Sequence, residues 1–264
     1  MTIRDAMNER WRDWRPSLAA RAGEIATALA FSTRLPLSRL PPVSGNLAQA
    51  VWALPIAGLV VGAVGAAAYA LAHRLGVPAW PAAALALAAT VSVTGALHED
   101  GLADTADGFG GGQSREQKLA IMRDSRIGTY GVCALMLTLL LRASAVATLA
   151  APGAVAAALI ASHTAGRAAL PLLMLFVGPA RADGLSYAAG RPGAARVLAA
   201  VAIGVVVLFA GLGFVHALAA AVLVVIAIAL MSWLSVRQIG GQTGDVLGAL
   251  EQVGEIVILL VAVR

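Results

Sequence analysis

Long apolar runs without a single charge dominate this chain. No charged residue falls between positions 47 and 72, and none between 75 and 97. A helix needs about 20 mainly apolar residues to cross the hydrocarbon core of a bilayer, and runs near that length recur as far as the C-terminus. They predict seven spans, at 48–72, 79–97, 131–150, 154–177, 197–213, 215–235 and 246–263. The fold class is therefore all-α, a polytopic membrane protein. Gly and Ala fill many of the runs, and small residues let helix backbones approach closely in lipid, where packing replaces the hydrophobic drive. A shorter stretch, 17–31, is interrupted by Arg21 and Glu24 and closed off before Pro36. It is too short to span and predicts a re-entrant or interfacial helix. Ahead of it, residues 1–16 form an arm with charges of both signs. Trp11 and Trp14 stand three apart with Leu18 four further on, the spacing of a helix lying at the membrane surface. Residues 17–264 read as a single membrane-embedded domain.

Composition agrees. Hydrophobic residues make up 59% of the chain, charged residues 12%, and the mean hydropathy is +0.83. Soluble domains carry about 25% charged residues. The net charge of +5 and pI of about 10.3 would suggest nucleic acid in a soluble protein. Here the basic residues sit in short loops and the N-terminal arm, which is the positive-inside pattern. With the N-terminus inside, most of the 19 basic residues face the cytoplasm, Arg74 and Arg264 lie outside, and Arg142 and Arg167 fall within spans. That orientation places the polar loops on the cytoplasmic face. The surroundings are membrane lipid, and a homo-oligomer remains open. The single cysteine, Cys133, permits no disulfide within the chain and predicts a small buried hydrophobe.

The chemistry concentrates in the longest polar segment, 98–130. It opens with Glu99, Asp100, Asp104 and Asp107, with no lysine interleaved. On a helix, Asp100, Asp104 and Asp107 fall at i, i+4 and i+7, on one face, where like charges repel. Either the segment is an acidic loop that merely solvates a helix end, or the three carboxylates hold a cation. Oxygen-only ligands suit Mg²⁺ or Mn²⁺ rather than zinc, and such ions serve phosphoryl transfer. Gly108 and Gly110 to Gly112 follow, either a hinge or a loop whose amides approach a phosphate. Ser114 with Gln117 reads as a capping box that starts a short helix at Arg115. Lys118, Arg123 and Arg126 lie in the same loop, the company expected for a metal–diphosphate substrate. A second glycine loop, 240–245, contains Thr243 and Asp245. It feeds a last helix bearing Glu251 and Glu255 four apart, while His163 and Arg167 are four apart on the fourth span. Charges at membrane depth are costly and are functional suspects. Glu251, nearer the cytoplasm, is expected in the catalytic pocket. Glu255 is expected to be structural.

These residues carry a resemblance. The stretch from Gly95 to Gly108, GALHEDGLADTADG, resembles the signature of the cobalamin synthase family, the adenosylcobinamide-GDP ribazoletransferases. So do MRDSRIGTYG from Met122, GQTGDVLGA from Gly241 and FSTRLP from Phe31. The resemblance runs in order from about Ala28 to the C-terminus and leaves the arm outside. It implies transfer of α-ribazole, or of its 5′-phosphate, onto adenosylcobinamide-GDP with release of GMP, assisted by Mg²⁺, at the bacterial inner membrane. The site it implies adds Glu99 to the catalytic candidates Asp100, Asp104, Asp107 and Glu251. Substrate contacts would come from His98, Arg34, Lys118, Arg123, Asp124, Arg126, Arg167, Thr243 and Asp245. Two other classes compete. CDP-alcohol phosphotransferases use a membrane-embedded Asp-Gly-x-x-Ala-Arg motif, but here Ala103 is followed by Asp104 rather than Arg. Transporters place sites at the midplane of repeated halves, and this chain shows no repeat.

Overall fold

The computed structural model describes residues 18–36 and 46–264. The arm, with Trp11 and Trp14, lies outside the described residues. Every regular element among them is helical: α1 (Leu18–Ser32), α2 (Leu47–Ala50) running through a 3₁₀ turn into α3 (Leu54–Arg74), α4 (Ala79–Thr94), α5 (Leu97–Gly111), α6 (Arg115–Ile121), α7 (Thr129–Leu149), α8 (Pro152–Phe176), α9 (Gly184–Ala189), α10 (Ala194–Ile239) and α11 (Gly244–Ala262). An isolated parallel bridge joins Pro179 to Gln242.

The scaffold is built on backbone contact at glycines. A Cβ on Gly58 would lie 2.2 Å from the His163 carbonyl oxygen, and one on Gly62 would lie 2.7 Å from the Ile160 Cα. These positions, four apart on α3, press its backbone into α8. That is the small-residue packing expected where lipid removes the hydrophobic drive between helices. The buried core of Ala, Leu and Val follows this seam.

Four helices are long and apolar enough to cross a membrane: Leu47–Arg74, Thr129–Leu149, Pro152–Phe176 and Ala194–Ile239. They become five if α4 and α5, bent by 89° at their junction, are one broken span. The difference from seven has physical causes. The expected spans 197–213 and 215–235 are the two arms of α10, which breaks at Gly213 (φ 71, ψ 172). Val201, Gly204 and Leu208 from one arm and Ala221, Val224 and Ile228 from the other line one groove against Ala165, Ala168 and Leu172 of α8. The arms thus fold back on each other. The last expected span, α11, carries Asp245, Glu251 and Glu255 and is too charged to qualify on apolarity.

Run 79–97 needs a correction, because its helix stops at Thr94. Gly95 (φ 65) and Ala96 (φ 59) both adopt the left-handed conformation, and the Ala96 amide donates back to the Val91 carbonyl at 3.0 Å. Glycine takes this conformation freely; a second left-handed residue is strained and turns the chain sharply. Cys133 is a second correction: it is exposed, because only about a third of α7 is buried against the rest of the fold. The short 17–31 stretch does form a helix, α1. Its interrupting Glu24 is buried and receives hydrogen bonds from Arg21 at 2.8 Å, the Trp52 indole at 2.6 Å and Arg196 at 3.3 Å.

Candidate active site

The acidic motif is helical, so Asp100, Asp104 and Asp107 do take the i, i+4, i+7 spacing. What the sequence pattern does not show is how α5 meets α11. A Cβ on Gly101 would lie 2.9 Å from the Asp245 carbonyl oxygen and 3.2 Å from the Gly248 Cα. One on Gly248 would lie 3.2 Å from the His98 carbonyl oxygen. The two helices cross with their backbones touching, and this brings Asp245 into the same patch as the acids of α5. Asp104 sits in the field of Asp100, Asp245 and Asp107. Thr243 caps α11, accepting a hydrogen bond from the Val246 amide at 3.3 Å, and its hydroxyl donates to Asp245 Oδ2 at 3.1 Å. The cap therefore orients the carboxylate as well as starting the helix.

Asp100, Asp245 and His98 line one end of a cavity of about 140 Å³. Phe31, Leu47, Leu54, Leu170 and Met174 are among its apolar walls, and Ser186 lines it too. An apolar chamber with a few convergent polar groups is the usual form of a small-molecule site.

Asp107, expected as the third metal ligand, has other work. Its two oxygens accept the amides of Gly128 at 2.7 Å and Gly131 at 2.9 Å, tying α5 to the first turn of α7. A Cβ at either glycine would strike this carboxylate, which explains the GTYG sequence around Thr129. Lys118 is also engaged: it is buried and donates to Gln238 at 2.6 Å and to the Phe109 carbonyl at 3.3 Å. The capping box at Ser114 and Gln117 forms as expected. Arg123 pairs with Asp183 at 2.5 Å on the surface. Arg126 pairs with Asp124 at 2.5 Å, and its hydrogen bonds hold the Asp124 carboxyl down at about 2. Arg34 is exposed and lies over Gly95 at the bend, outside the cavity wall.

Behind the cavity lies a second charged cluster, fully buried. Arg142 meets Glu255 at 2.7 Å, Glu99 at 3.0 Å and Gln252 at 2.9 Å. Arg167 meets Glu251 at 2.5 Å and Glu255 at 3.3 Å. His163 contacts Glu255, and Gln252 donates to Glu99 at 3.3 Å and to Glu251 at 3.0 Å. Glu251, expected to reach into the pocket, does not line it: Arg167 at the same depth captures its carboxylate. Its link to the cavity runs through His98, whose Nδ1 lies 3.3 Å from Glu251 Oε2 and 3.3 Å from Arg167. Glu99 likewise faces this cluster rather than the cavity. His163, Glu251 and Glu255 are close enough to share a metal ion, but Arg142 and Arg167 already supply positive charge to these carboxylates.

A family model described as cobalamin-5-phosphate synthase matches residues 24–263. The chain belongs to this family. It is similar to three curated relatives named adenosylcobinamide-GDP ribazoletransferase. Those of Bradyrhizobium diazoefficiens and Mesorhizobium japonicum are 56% and 51% identical, each over 90% of this chain and 92% of the relative. That of Azorhizobium caulinodans is 47% identical over 90% of this chain and 94% of the relative. No solved structure matches. The family match begins at Glu24, the buried anchor of α1, and takes in every candidate residue. Within this family member, sequence reasoning passed over three residues that the fold puts to use. Gln252 bridges Glu99, Glu251 and Arg142. Arg115 donates to the Ile239 carbonyl at 2.8 Å and the Ala180 carbonyl at 2.5 Å, fastening α6 to the end of α10. Arg181 lies 3.9 Å from Asp245. Gln252 had a signal, a polar residue between two glutamates in an apolar helix. Arg115 and Arg181 read only as inward-facing basic residues.

Proposed function

We propose that this chain is an adenosylcobinamide-GDP ribazoletransferase of the bacterial inner membrane, working at the cytoplasmic face with Mg²⁺. A hydroxyl of α-ribazole, or of its 5′-phosphate, forms a new bond to the phosphorus attached to cobinamide. The bond from that phosphorus to GMP breaks, and GMP leaves. The observation that carries the reading is the meeting of Asp100 and Asp245 on one cavity, with Asp104 in the field of both, in a chain matched to the family over nearly its whole length.

The residues present fit a divalent cation. Asp100, Asp104 and Asp245 offer oxygen ligands alone, carry like charge, and are interleaved with no lysine. Asp107 is the helix anchor beside them, so Asp245 takes the third position that the α5 spacing alone would give to Asp107. Bound there, Mg²⁺ supplies the neutralisation of charge on the transferring phosphoryl group. The chain's own contribution is positioning. The glycine crossing of α5 and α11 fixes the two sets of carboxylates, and Thr243 holds Asp245. The apolar cavity wall receives the less polar portion of a substrate and excludes water from the reacting end. His98 closes that end, held by Glu251 and Arg167.

The test is transfer by the purified protein. GMP release from adenosylcobinamide-GDP that requires both the α-ribazole acceptor and Mg²⁺ is expected, with loss of turnover in EDTA and recovery on adding Mg²⁺. Full turnover after exhaustive chelation would remove the metal from the reading. Release of CMP from a CDP-alcohol instead would move the chain to the neighbouring reaction class.

A further inference from the structure

The segment between α8 and α9 is short, yet it is held from two sides. The Ala180 amide donates to the Gln242 carbonyl at 2.8 Å, and the Gln242 amide donates to the Gly178 carbonyl at 2.9 Å. Arg115 donates to the Ala180 carbonyl. Ser186 donates to the Gln242 side chain at 2.7 Å. The segment is thus fastened to the same loop, 240–245, that delivers Asp245. Arg181 stands in the middle of it. Gly184, in the left-handed conformation (φ 84), folds the chain around its guanidinium, and a Cβ there would lie 3.4 Å from Arg181 Nε.

Arg181 is mostly buried, and its charge is not well answered. Nη1 is buried without a hydrogen-bond partner. Nε lies 3.5 Å from Asp183, and Nη2 lies 3.9 Å from Asp245. Both distances exceed a good hydrogen bond, and a charge-assisted pair is normally shorter still. A guanidinium left short of acceptors in a largely buried position is costly, and the two carboxylates near it stand too far to answer it fully. The group lines a small recess of about 10 Å³ with Gly184, Gln242 and Thr243, enough for about one water. Leu185, Ser186 and Gly244 belong to this recess and to the larger cavity alike. The guanidinium therefore stands beside the cavity, next to Asp245 in its wall.

We propose that Arg181 is a substrate-binding residue whose guanidinium fork grips the diphosphate bridge of the nucleotide substrate beside Asp245. A planar fork matches two phosphate oxygens at once, which an ammonium cannot do. The inference rests on the ribazoletransferase reading for which diphosphate is bound, and it names the residue that holds it. Arg123 and Arg126 are poorer candidates, because exposed carboxylates at 2.5 Å already satisfy them.

The experiment is calorimetric titration of GDP, in the presence of Mg²⁺, into the full chain in detergent, which needs no turnover. Arg181→Gln is expected to weaken GDP binding about 10- to 100-fold, the loss of one or two charged hydrogen bonds. Arg181→Lys keeps the charge but loses the fork, and it is expected to recover only part of the affinity. Arg237→Gln, an exposed arginine stacked on Trp233, removes the same charge elsewhere and is expected to bind as wild type. Wild-type affinity in Arg181→Gln, or in Arg181→Lys should the glutamine variant not fold, overturns the proposal. So does an equal loss in Arg237→Gln, or a wild-type chain that binds no GDP. A wild-type chain that binds GDP through Arg181 but releases no GMP from adenosylcobinamide-GDP supports the residue and fails the reaction.

Discussion

Glu99 faces inward from α5 to Arg142 and Gln252, whereas Asp100, the next residue, lines the cavity beside Asp245. The two acidic clusters they belong to both draw on α5 and α11. In the inner cluster, Glu99, Glu251 and Glu255 are answered by Arg142 and Arg167 at 2.5–3.3 Å. In the outer one, Asp100, Asp104 and Asp245 face one another, and Arg181 at 3.9 Å is the nearest guanidinium to Asp245. Acid content alone does not separate structure from function here. Charge compensation does. A carboxylate whose partner is folded in beside it holds helices together, and carboxylates left facing each other are the ones the proposed reaction would use.

The contrast can be broken most forcefully from the inner side. Arg142→Ala would leave Glu99, Glu255 and Gln252 without their shared partner. Breaking a buried pair by removing one member costs about 3–5 kcal/mol, so the expected result is a large fall in folded yield and in melting temperature. A variant that folds like wild type would show that the cluster is not the brace described here. On the outer side, Asp100→Asn and Asp104→Asn are expected to lower turnover about 10²- to 10³-fold while leaving the melting temperature near wild type. Loss of folding in both, with turnover per folded molecule unchanged, would reverse the assignment of the two clusters. The finest comparison lies within α11. Glu255 contacts Arg142, Arg167 and His163, while Glu251 contacts Arg167 and Gln252 and adjoins His98 at the cavity. Glu255→Gln is expected to lower stability by about 1.5–3 kcal/mol. Glu251→Gln is expected to cost less stability and more turnover. Equal effects on both measures would erase the distinction between the two glutamates.

How much of this was legible beforehand depends on the kind of signal each residue carried. Apolar runs announced the membrane helices, and the i, i+4, i+7 spacing announced the acidic face of α5, because both are local periodicities. The capping box at Ser114 was legible for the same reason. Partner choice was not local. Asp107 and Asp104 look alike in sequence, and only the arrival of the Gly128 and Gly131 amides makes one an anchor. Glu251 looked like a pocket residue because its loop leads from the active face. It is drawn inward because Arg167, on α8, stands at the same depth. The bend after Thr94 hid inside an apolar run, since Gly95 and Ala96 are as hydrophobic in pattern as their neighbours.

That bend bears on how the enzyme tolerates its lipid. A helix standing upright would spread Asp100 and Asp107 over about 10 Å of depth at 1.5 Å per residue, from headgroup toward hydrocarbon. Turned by 89° from α4, α5 carries its carboxylates across the direction of α4 rather than further along it. When acyl chains lengthen or shorten, spanning helices tilt to match the new thickness. The α5–α11 crossing is fixed by backbone contact at Gly101 and Gly248, so the spacing between Asp100 and Asp245 does not depend on the tilt of α4.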